Sequence, residues 1–139
     1  MSDRVFVDTN VLVYLFDAAE PKKRSVARQR LDLERQRREL VVSTQVLQEL
    51  YVCLTRGKHP IASTEVALRA VTEAATLTVV QVDTALLLEA ITLSQEHQLS
   101  LWDALILRAA AAAGCATMLT EDLNPGQVVD GVRIDNPFR

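Results

Sequence analysis

The sequence is poor in cysteine and histidine, which disulfide-rich proteins and zinc sites need. Its 139 residues include two of each. Cys53 and Cys115 are far apart and have apolar neighbours, which favours two reduced core thiols over a disulfide framework. His59 and His97 are too few for a zinc site or a general acid/base pair, and we expect both at the surface. A reducing cytoplasm is the expected location.

Long hydrophobic runs and targeting segments are also lacking. The longest apolar stretch, ALILRAAAAAGCATML, is interrupted by Arg108 and Gly114. The start, MSDRV, has no basic segment followed by an apolar one, so we expect no membrane partner. With 49% hydrophobic and 24% charged residues, residues 1–139 have the size and composition of one globular domain.

Several catalytic motifs are missing as well. The sequence has no G-x-S-x-G elbow, no P-loop and no G-x-G-x-x-G fingerprint, which disfavours acyl transfer and nucleotide-cofactor chemistry. An aspartyl nucleophile like that of haloacid dehalogenase-like phosphatases is also disfavoured. Such enzymes need a second Asp two residues after the first, and Asn10 stands two residues after Asp8.

The net charge of -3 hides an asymmetry along the chain. Residues 1–60 hold 11 Lys and Arg against 8 Asp and Glu, whereas residues 61–139 hold 4 against 10. The segment KKRSVARQRLDLERQRR, residues 22–38, contains eight basic and two acidic residues. Such a run is usually a solvated helix face, and contact with nucleic-acid phosphate is the alternative.

Short apolar strands alternate with helices along the chain. We predict strands at 4–7, 39–43, 77–82, 116–120 and 132–134, and helices at 10–18, 21–38, 45–56, 62–75, 84–98 and 101–113. The predicted helix caps are Asn10, Ser43 or Thr44, Asp83 and Ser100. This alternation predicts an α/β fold with a mainly parallel sheet of about five short strands, flanked by helices.

Four acidic residues stand among apolar neighbours: Asp8, Glu49, Asp103 and Asp122. Each has an ordinary structural explanation. Asp8 is a plausible helix cap, Glu49 fits the wet edge of a helix, Asp103 has capping-box spacing from Ser100, and Asp122 stands in a loop.

The positions of these four acids in the predicted elements are more informative than any one of them. Two follow strands and two lie within the first two turns of their helices, positions that share one edge of an α/β sheet. Converging carboxylates repel one another unless protons or cations neutralise them. Oxygen ligands without His or Cys indicate Mg²⁺ or Mn²⁺, and two such ions ~4 Å apart can hydrolyse a phosphodiester.

Four ordered sequence blocks resemble the PIN domain, and most closely the VapC-like toxin ribonucleases of toxin–antitoxin pairs. The blocks are VDTNVLVY, STQVLQELY, SLWDALIL and LTEDLNPGQVVDGVRIDNPF. The resemblance implies a single PIN-like domain over residues 1–139 that uses Mg²⁺, or Mn²⁺ in its place, to hydrolyse RNA to 5′-phosphate and 3′-hydroxyl ends.

The resemblance also implies roles for individual residues. The catalytic and metal-binding cluster would be Asp8, Glu49, Asp103 and Asp122, with Asn10 and Thr44 as supporting polar residues. Glu121 is a rival to Asp122, because the sequence does not show which side chain faces the site. Asn124 stands where some relatives carry another acid, which puts a ligand role there in doubt.

The substrate and the protein partners follow from the same resemblance. The partners are an RNA substrate, a second copy in a homodimer, and a small cognate antitoxin. The leucine-rich segments 10–18 and 44–56 offer an apolar groove for an antitoxin helix, although core packing is the commoner role of such leucines. We expect RNA phosphate contacts from Lys22, Lys23, Arg24, Arg28, Arg56 and Lys58.

Two functions of other classes compete with the ribonuclease. One is a catalytically silent α/β binding module whose acids are caps and surface residues. The other is a structure-specific DNA nuclease, which uses the same metal chemistry. The sequence shows no insertion long enough to form a helical arch or a DNA clamp, and this disfavours the DNA nuclease.

Overall fold

The computed structural model describes residues 3–139, which form six strands and six helices. The strands are β1 (Arg4–Val7), β2 (Glu39–Ser43), β3 (Thr78–Val80), β4 (Thr117–Leu119), β5 (Val128–Val129) and β6 (Val132–Asp135). The helices are α1 (Thr9–Tyr14), α2 (Pro21–Arg37), α3 (Thr44–Thr55), α4 (Thr64–Ala74), α5 (Thr84–His97) and α6 (Leu101–Ala112).

The strands form one sheet in the order β3-β2-β1-β4-β6-β5. All neighbouring strands are parallel except β5, which pairs antiparallel with β6. β1 therefore lies inside the sheet, with Val5 opposite Leu40 on one side and Thr117 on the other. The order reverses beside β1, because β2 follows it on one side and β4 on the other. Ligand sites of such sheets lie beyond the carboxyl ends of the strands at that point.

The core explains the apolar strand sequences. Val5, Phe6 and Val7 of β1 are fully buried, as expected for a strand covered on both faces. Leu107 of α6 is likewise fully buried. The predicted α/β class and the mainly parallel sheet are confirmed.

Side-chain caps start most of the longer helices. The Ser43 hydroxyl accepts a hydrogen bond from the Val46 N–H, and Ser63, Asp83 and Ser100 cap α4, α5 and α6 in the same way. Each cap satisfies a backbone donor that the helix itself leaves unpaired. The predicted caps Asp83 and Ser100 are confirmed, as is Ser43 in the Ser43-or-Thr44 alternative.

Several details of the prediction are wrong. The cap of α1 is Asp8 rather than Asn10, and α1 ends at Tyr14. The hairpin strand β5 was missed, although Asp130 and Gly131 adopt φ of 53° and 79° and Asp-Gly is a strong two-residue hairpin signal. Cys115 is buried, but Cys53 is only half-buried and does not belong to the core. Burial raises the pKa of the Cys115 thiol to about 11.

Two other expectations concern the surface. His59 and His97 are both exposed, as predicted. Among residues 3–139, no helix has the length and apolar character needed to cross a membrane.

A core substitution tests the packing of α6. Leu107→Ala should lower the free energy of unfolding by about 2–5 kcal/mol, because it leaves a cavity at a fully buried position. The matched control is Leu88→Ala on α5, where the leucine is 59% exposed and the expected change is within about 0.5 kcal/mol. Urea denaturation measures both, and equal losses would contradict the described packing.

Candidate active site

Four carboxylates from four separate elements line one cavity of about 780 Å³. Asp8 follows β1, Asp122 lies in the loop after β4, Glu49 is in α3 and Asp103 is in the first turn of α6. All four acids predicted from the sequence are therefore brought to this cavity at the carboxyl edge of the sheet.

Asp8 is the most deeply buried of these acids, with 5% of its surface exposed. One carboxylate oxygen accepts from the Thr9 N–H at 2.7 Å and the other from the Thr120 hydroxyl at 2.8 Å. Burial nevertheless raises the pKa of Asp8 to about 6, with a smaller contribution from the charges of Asp122 and Glu49. The capping role of Asp8 is thus real, but it leaves the negative charge poorly compensated.

Asn10 connects Asp8 to the loop after β4. Its side-chain N–H group donates to Asp122 Oδ2 at 3.0 Å and to the Thr120 hydroxyl at 3.1 Å, and lies 3.4 Å from Asp8 Oδ2. Its side-chain oxygen accepts from the Glu121 N–H at 3.3 Å. Asn10 therefore lies beside the carboxylates, where the resemblance expected a supporting polar residue.

Glu49 is held by two residues that the sequence analysis did not single out. The Thr9 hydroxyl donates to Glu49 Oε1 at 2.7 Å, and Gln45 Nε2 lies 3.3 Å from Oε2. The same Nε2 donates to the backbone oxygen of Trp102 at 3.2 Å, which connects α3 to α6. Gln45 follows the Ser43 cap by two residues, so its position in the first turn of α3 was visible in the sequence. The sequence did not show that Gln45 contacts Glu49 and Trp102.

Asp103 combines a backbone role with exposure to the cavity. The Asp103 N–H donates to the Ser100 hydroxyl at 3.1 Å, as the capping-box spacing predicted. Asp103 also lines the cavity. The helix cap and a role in the cavity are therefore compatible at this position.

The structure distinguishes Glu121 from Asp122. Glu121 accepts a hydrogen bond from the Tyr14 hydroxyl at 2.5 Å and pairs with Lys23 Nζ at 3.0 Å. Lys23 also lies over the rings of Tyr14 and Phe138. Asp122 lines the cavity instead. The two adjacent acids thus have different surroundings, which their order in the sequence did not reveal.

Some predicted residues lie elsewhere. The Thr44 hydroxyl accepts from the Val82 N–H at 3.1 Å and does not line the cavity, so the structure gives it no supporting contact there. Of the six cations expected to contact phosphate, Arg56 lines the cavity. The other five lie outside it, on α2 and in the loop after α3: Lys22, Lys23, Arg24, Arg28 and Lys58.

The cavity walls are partly apolar. Val13 and Tyr14 come from the predicted groove segment 10–18, and Val52 comes from the segment 44–56. Ile61, Trp102 and Ile106 also contribute to the apolar part of the wall. Leucines of the same segments, such as Leu12, Leu50 and Leu54, are core residues instead.

The chemistry of the lining fits a hard divalent cation, although the present side-chain positions do not yet form a binding site. Five carboxylates line the cavity, those of Asp17 and the four acids above, against the single cation of Arg56. Among residues 3–139, no three Asp, Glu, His or Cys side chains are close enough together to hold one metal ion. Hydrogen bonds from Thr9 and Asn10 hold the Glu49 and Asp122 carboxylates in their present orientations. Shared coordination of one ion therefore requires the side chains to rotate.

The fold and site agree with a family match. A model of the PIN domain family matches residues 5–129, and the chain belongs to that family. The resemblance in the four sequence blocks is thereby confirmed at the level of the family.

Solved structures with the same fold come from VapBC assemblies. A chain of DNA-bound VapBC from Salmonella typhimurium has a TM-score of 0.70 and 21% identity over 99% of each chain. VapBC2 from Rickettsia felis, bound to a promoter DNA fragment, has a TM-score of 0.69 and 18% identity over 96% of this chain and 98% of its own.

A third similar structure carries a description of its activity. Mycobacterium tuberculosis VapC20, a sarcin-ricin loop cleaving toxin, has a TM-score of 0.66 and 21% identity over 82% of this chain and 86% of its own. Among curated proteins, a sequence comparison finds no match.

The raised pKa of Asp8 predicts a pH-dependent cost to stability. Between its ordinary value of 3.8 and about 6, the folded protein binds more protons at this group than the unfolded chain does. The protonated Asp8 therefore carries no such cost below about pH 4, and the free energy of unfolding falls as the pH rises through about 6. In EDTA at pH 7.5, Asp8→Asn should raise the free energy of unfolding by up to about 3 kcal/mol.

The same measurement at two pH values tests the cause. The free energy of unfolding that Asp8→Asn gains over the unsubstituted protein should be large at pH 7.5 and small at pH 4.5. At pH 4.5 the Asp8 carboxyl of the folded protein is mostly protonated. Asp32→Asn, at an exposed position of α2, is the matched control. A gain that does not change with pH would refute charge burial as its cause.

Proposed function

We propose that this protein is a Mg²⁺- or Mn²⁺-dependent endoribonuclease toxin that a cognate antitoxin neutralises. The observation that carries the proposal is the meeting of Asp8, Glu49, Asp103 and Asp122, from four separate elements, in one cavity. No requirement of the fold explains this, because buried or neighbouring carboxylates destabilise a protein that does not use them.

The excess of carboxylates supports metal dependence. An RNA phosphate entering a cavity with five carboxylates and one arginine is repelled unless cations offset the charge. When bound, a divalent ion supplies an activated water and stabilises the leaving oxygen of the phosphodiester. Asp8 and Asp103 are the principal ligands in this proposal, with Asp122 and Glu49 completing the set.

The chain's own residues have separate tasks in the proposed reaction. Thr9 and Gln45 orient the Glu49 carboxylate, and Asn10 orients that of Asp122. Arg56, the one arginine in the lining, binds a phosphate oxygen of the substrate. These contacts hold Glu49 and Asp122 at the cavity before substrate arrives, and rotation of the side chains would complete the ligand set.

The antitoxin and the homodimer are proposed by similarity. The similar structures from Salmonella typhimurium and Rickettsia felis are VapBC complexes, which supports a protein partner for this fold. The proposed antitoxin helix packs on segments 10–18 and 44–56, whose Val13, Tyr14 and Val52 line the cavity wall. Light scattering of the purified chain tests the homodimer, for which twice the mass of 15.4 kDa is expected.

The alternative functions have less support. VapC20 is described as cleaving the sarcin-ricin loop, which favours RNA over branched DNA as the substrate. A silent binding module would need no set of carboxylates with a buried member.

Cleavage of end-labelled RNA tests the proposed function. Asp8→Asn and Asp103→Asn should each reduce metal-dependent cleavage at least about 100-fold, because even residues that only orient metal ligands often contribute 10- to 100-fold. EDTA should abolish cleavage, and Mn²⁺ or Mg²⁺ should restore it. Asp32→Asn, outside the cavity, is the matched carboxylate control and should cut normally.

Two further readouts separate the alternatives. Mn²⁺ should raise the Tm of the unsubstituted protein and have little effect on the Tm of Asp8→Asn. Cleavage of branched DNA in preference to RNA would favour the DNA nuclease. Failure to cut either substrate, together with no Tm shift in Mn²⁺, would favour the binding module.

The cations of α2 form a second, long-range part of the proposal. Lys22, Arg24 and Arg28 are expected to attract RNA that extends beyond the cavity. Replacing all three with Ala should weaken RNA binding and reduce the slope of log K against log salt by up to about 2, since each phosphate contact contributes about 0.7 on single strands. The matched control replaces Arg69, Arg133 and Arg139, and an unchanged slope in the α2 variant would refute this role.

A further inference from the structure

The exposed apolar side chains of residues 3–139 include a group at the cavity. Nine large hydrophobic residues are exposed, and three of them line the cavity: Val52 (55%), Ile61 (37%) and Trp102 (63%). The other six lie outside its lining. A tryptophan that is 63% exposed loses much of the burial that normally stabilises it, so its place beside the carboxylates needs an explanation.

The backbone of Trp102 is held in place by α6 and by a hydrogen bond from α3. Trp102 is the second residue of α6 and directly precedes Asp103, and both line the cavity. Its backbone oxygen accepts a hydrogen bond from Gln45 Nε2. Gln45 is buried and also contacts Glu49. The ring therefore projects from a backbone segment that is fixed relative to two of the four carboxylates.

The covalent structure of RNA connects the carboxylates to this wall. Each scissile phosphate has a nucleoside on either side, so a phosphate held at the carboxylates brings its flanking bases to the walls of the same cavity. A base that leaves its stack in single-stranded RNA regains the lost contact on an aromatic side chain.

The neighbouring residues match an RNA strand better than an apolar protein segment. Arg56 and His59 lie in the same lining as Val52 and Ile61. A wall that combines a cation with apolar and aromatic surface suits a chain that alternates phosphates with rings. An antitoxin helix on Val13, Tyr14 and Val52 would use the apolar part of the wall, whereas an RNA strand would also place a phosphate near Arg56.

We propose that Trp102 is a stacking platform for an RNA base next to the scissile phosphate. Val52 and Ile61, which line the same cavity, supply further apolar surface for this base subsite. The proposal rests on the ribonuclease function above and adds the position of a base to it. Stacking tolerates any base, because every base has a π-face, so Trp102 contributes affinity and register rather than sequence choice.

Fluorescence provides a direct test, since Trp102 is the only tryptophan in the chain. The unsubstituted protein in Mg²⁺ is mixed rapidly with random-sequence RNA hexamers, and its emission is recorded before cleavage. Stacking should quench the emission. An abasic hexamer with the same phosphates should bind with little quenching. Equal quenching by both hexamers, or by neither, would overturn the proposal.

Kinetics of two Trp102 variants provide an independent test. Trp102→Leu keeps an apolar side chain without a π-face and should raise KM for RNA about 5- to 100-fold with a smaller change in kcat. Trp102→Phe should restore most of the affinity. The control is Leu88→Ala on α5, whose leucine is equally exposed (59%) but lies outside the cavity. Unchanged KM in Trp102→Leu would overturn the proposal.

The outcomes separate this proposal from the proposed function. Metal-dependent cleavage with unchanged KM in Trp102→Leu leaves the ribonuclease intact and removes the stacking platform. If antitoxin binding alone were then lost, Trp102 would belong to the protein interface. If no RNA is cut, the ribonuclease fails, and base-dependent quenching would still support an RNA-binding wall.

Discussion

Burial of the Asp8 carboxylate is the constraint on which the site depends. Asp8 follows the interior strand β1, where the strand order of the sheet reverses. Two hydrogen bonds, from Thr9 and Thr120, do not compensate for the lost water, and the pKa of the carboxyl is raised to about 6. The fold therefore keeps a destabilising group at its carboxyl edge, as expected where function opposes stability.

The residues around Asp8 also hold Glu49 and Asp122 by hydrogen bonds. Thr9 donates its backbone N–H to Asp8 and its hydroxyl to Glu49, so one residue organises two acids. Asn10 contacts Asp122 and Thr120, which itself donates to Asp8. The VDTN block is thus a short segment whose three polar residues each bond to a side chain of α3 or of the loop after β4. These hydrogen bonds keep Glu49 and Asp122 near Asp8 although the three carboxylates repel one another.

Residues that are adjacent in sequence have different contacts around the cavity. Glu121 pairs with Lys23 and Tyr14, which leaves Asp122 to line the cavity. Lys23, expected from the sequence to bind phosphate, is therefore engaged with protein groups. Trp102 and Asp103 show the same division, since the ring is left exposed at the wall while the adjacent acid joins the carboxylates. Adjacent side chains leave the backbone in different directions, so the members of each pair have different partners, although Trp102 and Asp103 line the same cavity.

Much of the architecture and the four acids could be predicted from the sequence by itself. Apolar strands, helix caps such as Ser100, and acids at strand ends are local patterns that report on nearby backbone geometry. The sequence did not determine that Asp8 rather than Asn10 caps α1, that Thr44 bonds to Val82, or that Gln45 joins Glu49 to Trp102. These contacts join residues up to 57 positions apart. Only the packed tertiary structure decides them, because the free energy of a side-chain contact depends on which distant groups share its burial.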